Sequence, residues 1–296
     1  METEPYPHLT TASPPSASLL PDEDVPTIDI MPSKGWTSLR LRELWQYREL
    51  VYFLTWRDVM VRYKQASLGV AWAILQPLLT MVIFSVIFGR LAGLPSGGIP
   101  YPVFSFSGLL AWQLFAGSLQ RAGVSLVGNA NLLTKVYFPR LAIPLSAVVA
   151  GLVDFALAFI VLLGLMAWYG IAPTRNIIWL PFFTLFALLT AFAAGLWLSA
   201  LNVQYRDVQQ AIPFLIMAWM YASPVAYSTE LIPSGKWRFI YALNPMVGVI
   251  AGFRWALLGS GPPDPVMLVS VVMVLVLLVT GLFYFRRMER TFADVV

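Results

Sequence analysis

What the chain lacks narrows its chemistry first. Cysteine is absent, so neither disulfides nor thiolate metal sites can form. His8 is the sole histidine and lies in a Pro-rich stretch near the start, which removes Ser-His-Asp triads and histidine metal clusters. No Gly-rich loop ending in Gly-Lys-Ser/Thr occurs, so the chain carries no phosphate cradle of that type. The acidic run Asp22, Glu23, Asp24 stands in a tail and not at a membrane boundary, where a glycosyl-transferring or metal-dependent enzyme would need paired carboxylates. Charge is scarce as well: 11% of residues are charged, against about 25% in soluble domains. What fills the gap is grease, with 58% hydrophobic residues and a mean hydropathy of +0.73. Lipid is the expected solvent for most of the chain, and an all-α integral membrane protein the expected class.

Residues 1–35 are rich in Pro, Ser, Thr, Asp and Glu, a composition that cannot bury enough apolar area to offset chain entropy, so a disordered tail is expected. Residues 36–65 alternate leucines and aromatics with Arg40, Arg42, Glu43, Arg48, Arg57, Asp58, Arg62 and Lys64. That is too charged for a span and suits an amphipathic interface helix, with Asp58 four residues before Arg62 in the helix-supporting order. Residues 66–296 then hold six apolar segments, each near the roughly 20 residues that cross a bilayer core: Leu68–Phe88, Val103–Val127, Leu141–Trp168, Pro181–Leu201, Val208–Val225 and Val266–Phe285. The fourth carries Ala187, Ala191, Gly195 and Ser199 four apart, a close-packing face.

Two connections stand out. Residues 127–144, between the second and third spans, keep Asn129, Asn131, Thr134 and Lys135 together ahead of Pro139, Arg140 and Pro144. They form either a plain loop anchored by basic residues or a handle for something outside the membrane. Residues 228–264, before the last span, contain Lys236–Leu243 and then Asn244-Pro245 and an apolar run to Leu258 and Gly259. Asn244 suits an N-cap, Pro245 a first turn and Gly259 a helix end. A helix of about 14 residues is too short to cross, so short re-entrant helices are expected there, with a plain amphipathic surface helix as the alternative. The basic residues crowd onto one side: the 36–65 segment, Lys135, Arg140, Arg206, Arg286, Arg287 and Arg290, against Arg90, Arg175, Lys236, Arg238 and Arg254 on the other. The basic side, with both termini, is expected to be cytoplasmic. Asp154 falls within the third span, and Arg121, near the inner end of the second, is its candidate partner. Both a structural ion pair and a proton site are open readings, although a proton-coupled carrier ordinarily needs several such groups.

Arg57-Asp-Val-Met-Val-Arg-Tyr-Lys-Gln-Ala-Ser-Leu-Gly-Val-Ala-Trp-Ala-Ile-Leu-Gln-Pro77 resembles the opening of membrane subunits of type-2 ABC exporters for polysaccharides, the O-antigen, capsule and teichoic acid export permeases. Leu126–Arg140, Leu201–Asp207 and Leu243–Met246 resemble that family in place and order. The resemblance covers about residues 36–290. It implies a homodimer of this permease with two copies of an ABC ATPase, embedded among membrane lipids in the cell inner membrane. No nucleic acid is among the expected partners. ATP and Mg would sit on the ATPase, with no cofactor in this chain. The resemblance also implies that Asn129, Ala130, Asn131, Leu132, Leu133, Thr134, Lys135 and Tyr137 form a coupling helix against the ATPase. A lipid-linked polysaccharide would pass through a channel between permeases. Aromatic faces and amides suit a sliding sugar chain, which makes Tyr63, Trp72, Gln76, Phe84, Trp112 and Gln113 substrate-path candidates, with Tyr137 beside them. An ATP-independent carrier or channel, an exporter of a small lipid or drug, and a membrane-embedded transferase are the alternatives.

Overall fold

The computed structural model describes residues 41–64, 69–232, 235–289 and 292. The expected tail, residues 1–35, and residues 36–40 at the start of the interface segment lie outside them.

The described chain is helical throughout, with no strand. Helices α1 (Leu41–Gln46) and α2 (Arg48–Lys64) precede α3 (Gly69–Phe84), which keeps Pro77 inside it and widens into a π-helical turn at Ser85–Leu91. Next come α4 (Tyr101–Gly128), α5 (Ala130–Lys135), α6 (Ala142–Val149) and α7 (Gly151–Trp168), the last two separated only by Ala150. A 3-10 turn leads into α8 (Leu180–Gln204), and α9 (Val208–Tyr221) follows. The chain closes with α10 (Lys236–Ala242), α11 (Pro245–Leu258) and α12 (Leu268–Met288).

Helix α4 is the axis of the bundle. It packs against α3, α6, α7, α8, α9 and α11, and Phe106, Leu109, Leu110, Phe115 and Leu119 along it are almost wholly buried. The α4–α8 contact is close because the small-residue stripe of α8 faces it: Ala187, Ala191, Gly195 and Ser199 are all buried, and a Cβ on Gly195 would stand 2.7 Å from that of Ala122. Small residues let backbones approach where no hydrophobic effect drives helices together.

Among the described residues, five stretches are long and apolar enough to cross a membrane: Ala71–Leu91, Tyr101–Gly128, Ala142–Trp168, Arg175–Gln204 and Pro265–Met288. The fifth expected span, Val208–Val225, is different. Its helix stops at Tyr221 after 14 residues, about 21 Å of rise, short of a bilayer core of about 30 Å. The chain nevertheless traverses the bundle there, antiparallel to α4. Ile212 faces Gly123, Trp219 packs on Phe115 at 4.9 Å, and Val225 lies beside Gly108. The last third of the traverse is an irregular turn, Ala222–Ser228.

Helices α10 and α11 meet at 91°. Asn244, at their junction, bonds to Ala222, while Thr174 at the other end of α11 bonds through its N–H to Leu257 O and through its hydroxyl to Ala256 O. Thr174 precedes α8, and Ser270, which donates to Ala242 O at 2.7 Å, stands at the start of α12. Arg238 of α10 pairs with Asp264, just ahead of α12, at 2.9 Å, so both outer ends of the bent pair lie at one end of the bundle. The pair dips in and returns, leaving six traverses. The local signals for this hairpin operate as chemistry predicts: Asn244 accepts from Met246 N at 3.0 Å, and Gly259 closes α11 at φ 70°, in the left-handed region.

Candidate functional site

At the end of the bundle opposite that bent pair, α4 gives way to α5 through one residue. Asn129 ends α4 and precedes α5. Its side-chain amide donates to Ser125 O at 2.8 Å, its carbonyl oxygen Oδ1 accepts from Arg57 Nη2 at 2.8 Å, and its backbone oxygen accepts from Leu132 N and Leu133 N. A separate apolar cluster underlies this turn: Leu54 of α2, Leu126, Leu133, Phe138, Leu141, Ile143, Val203, Phe285 and Phe292. Arg140 donates to Glu289 O and lies 6.0 Å over the Phe292 ring. The turn is thus a short helix held on a firm base.

These contacts sort the expected docking residues. Asn131, Thr134, Lys135 and Tyr137 are exposed, Tyr137 by 72%. Leu133 is only 5% exposed, Leu132 packs against the same cluster, and Asn129 and Ala130 are half-buried. Leu133 is enclosed by its own fold and anchors the turn, leaving the exposed members as the face open to a partner.

Helix α2 climbs beside α6 and α7. Thr55 donates to Ser146 O at 3.4 Å, while Arg62, seven residues on, meets Asp154, eight residues on, at 2.5 Å. Asp154 also pairs with Arg121 at 3.0 Å and accepts from the Tyr63 hydroxyl. Arg121 further donates to Ala147 O at 3.2 Å, over Gly151, where any Cβ would collide with the guanidinium. One carboxylate thus ties α2, α4 and α7 together and leaves two guanidinium charges against one negative. All three side chains keep some solvent access. Burial, reinforced by the Asp154 hydrogen bond and charge, pushes the Tyr63 hydroxyl from 10.0 up to about 12, so it remains a donor at any ordinary pH. Arg121 and Asp154 were visible from sequence as possible partners. Arg62 was missed, since it reaches the site only because α2 folds along α6; the Asp58–Arg62 spacing reported helix and nothing about this contact.

The substrate-path candidates divide. Trp72 and Gln76 are exposed one turn apart on α3, and Gln113 is half-buried on α4. Trp112, 3% exposed and packed on Phe115, and Phe84, 8% exposed and edge-on to Phe88, lie in the core of this chain. An aromatic on α4, the central helix, meets neighbours on all sides. Tyr63 uses its hydroxyl on Asp154. Among the described residues, no three acidic or histidine side chains come together in a way that could hold a metal.

A bundle of membrane-length helices with a short exposed helix between two spans and a dipping pair at the far end suits a transporter membrane subunit, and comparison agrees. Residues 49–258 match the ABC-2 type transporter family model, and the chain belongs to that family. It is 34% identical over 254 residues to the O-antigen export system permease protein RfbA of Myxococcus xanthus, covering 84% of this chain and 96% of that one. It is 29% identical to the protein of that name from Klebsiella pneumoniae, over 83% and 95% of the two chains. Against the polysialic acid transport protein KpsM of Escherichia coli the identity is 26%, over 79% and 91%.

Proposed function

We propose that this chain is the permease half of an ATP-driven exporter that moves a lipid-linked polysaccharide from the cytoplasm across the inner membrane. Two copies of the chain enclose the path, and two copies of a separate ABC ATPase, which holds ATP and Mg, supply the free energy. Both termini and the α5 turn face the cytoplasm. The relatives named for O-antigen export and polysialic acid transport support a polysaccharide cargo, and their near-complete overlap with this chain supports the whole-subunit role. The observation that carries the coupling assignment is the α5 turn itself: Asn131, Thr134 and Lys135 are presented to solvent from a helix whose other face is buried, and Tyr137 from the residues just after it. A rigid base lets a push on those side chains move α4 and α2, where a loose loop would absorb it.

The test is ATP hydrolysis and glycan export by the co-purified complex carrying Lys135→Ala with Tyr137→Ala. Export should fall about tenfold or more, equivalent to at least ~1.4 kcal/mol of coupling, with the permease still folded. Undiminished export would reject the docking surface. Intact surface glycan in cells lacking the chain would instead favour a small lipid or drug as cargo.

A further inference from the structure

The sharpest anomaly in the molecule is at the bent-pair end. Arg254 of α11 is 4% exposed, and among the described residues no carboxylate pairs with it. Its partners are backbone: Nη1 donates to Pro224 O at 2.8 Å and to Tyr227 O at 2.9 Å, and Nη2 to Val225 O at 2.7 Å. The guanidinium lies 3.7 Å over the Phe104 ring of α4. Gly108 makes room for it, since a Cβ there would stand 2.8 Å from Nη2 and 2.9 Å from Val225 O.

The surrounding turn explains the arrangement. Beyond the end of α9 the backbone leaves the helix, so the carbonyls of the turn have no helical donors, and inside an apolar protein each must find one. The supply is complete from Tyr221 to Tyr227. Tyr221 O accepts from the Tyr227 hydroxyl, Ala222 O from Asn244 Nδ2 at 3.0 Å, and Ser223 O from Val225 N at 2.7 Å. Ala226 O accepts from the Tyr101 hydroxyl at 2.5 Å, and Arg254 takes the remaining three. Asn244 also accepts from Trp219 Nε1 at 2.8 Å and donates to Ser223 Oγ at 2.9 Å. The Tyr227 and Tyr241 hydroxyls meet as well. Apart from Tyr227 and Val225 within the turn, the donors come from α4, the α10–α11 junction and α11, so the turn is bonded to elements on either side of it.

We propose that Arg254 is a positioning residue for transport. Acting through the three carbonyls, with Asn244 and Tyr101 in support, it fixes the exit turn of α9 to α4 and α11. The end of α9 is then a static part of the frame while the complex works, and it does not move as a gate. Only the nucleotide arm of the test below rests on the exporter reading.

Because the chain has no cysteine, two introduced ones can be spin-labelled without background. Tyr221→Cys and Trp237→Cys, both at exposed side chains, are placed in the full chain with its ATPase in lipid nanodiscs. Without nucleotide, the parent should show one narrow distance distribution. Arg254→Gln should broaden it by about 5 Å, one helical turn, and leave a Trp168→Cys/Ile178→Cys reference pair unchanged. Arg254→Lys should fall between, because a single ammonium cannot serve the spread of acceptors a planar fork reaches. With ATP, the parent 221–237 distance should hold while a Val127→Cys/Gln209→Cys pair at the other end of α9 shifts. A distribution in Arg254→Gln as narrow as the parent's overturns the proposal. So does an ATP-driven change of about 5 Å between positions 221 and 237, which also decides the matter if Arg254→Gln fails to fold. Stillness of the 127–209 pair counts against the exporter reading, and the nucleotide-free arm then decides this one.

Discussion

Two arginine sites, one toward each end of the bundle, solve different problems. Near the α5 end, Arg62 and Arg121 share Asp154 across three helices, and all three side chains are partly exposed. At the bent-pair end, Arg254 is sealed from solvent and bonded only to carbonyl oxygens. The first is a charge hub. Asp154 has three partners, Arg62, Arg121 and the Tyr63 hydroxyl, so breaking one link is survivable. The second is a substitute for missing helix hydrogen bonds, and nothing else nearby can take its place. A charged residue in an apolar fold is thus no single signal: its value depends on whether it answers another charge or an interrupted backbone.

The comparison is most open to attack at Arg254. Arg254→Leu leaves three buried carbonyls without donors at about 1–3 kcal/mol each, and should lower thermal stability in detergent more than any single change at the Asp154 hub. A smaller loss than that of Asp154→Ala would reverse the ranking. The glycines beneath the two guanidiniums sharpen it further. Gly108→Ala presses on Arg254 and on the fixed backbone at Val225 O, whereas Gly151→Ala meets only the side chains of Arg121 and Ser118. Overpacking of this kind costs about 1–3 kcal/mol, and the Gly108 variant should lie toward the upper end when unfolding is monitored by heat.

Asp154→Asn removes the only negative charge among two guanidiniums. Partial exposure limits the loss to about 1–2 kcal/mol, at the modest end of what breaking an ion pair costs. Adding Arg62→Gln should recover part of it, a coupling that a double-mutant cycle measures directly. Additive losses would deny the hub. The smallest effect belongs to Tyr63→Phe, about 0.5–1.5 kcal/mol for one hydrogen bond. The folded state keeps the Tyr63 proton that the unfolded chain surrenders above pH 10, so stability declines as pH rises from 10.0 toward about 12. Tyr63→Phe should flatten that part of the profile.

Much of the architecture followed from local chemistry. Apolar length, the small-residue stripe of α8, the Asn244-Pro245 start and the Gly259 stop of α11 are properties of a few neighbouring residues, and lipid enforces them by forbidding unpaired backbone. The sequence also indicated a possible Arg121–Asp154 pairing, because two ionisable residues in adjacent spans have few other places to go. The early halt of α9 was harder to foresee. Pro224 and Ser223 mark a break, but the helix could end at Tyr221 only because side chains distant in sequence supply the donors.

The same reason separates what residues alone settle from what folding settles. Periodicity and composition determine that these segments are helices in an apolar setting, since hydrogen bonds within a helix are satisfied over four residues. Whether Trp112 and Phe84 face a cargo or a neighbour, whether Leu133 docks or anchors, and which oxygen answers Arg254 were decided only when α2, α4, α9 and α11 came together. Those partners lie up to 150 residues apart along the chain, and no local pattern records a contact made across that separation.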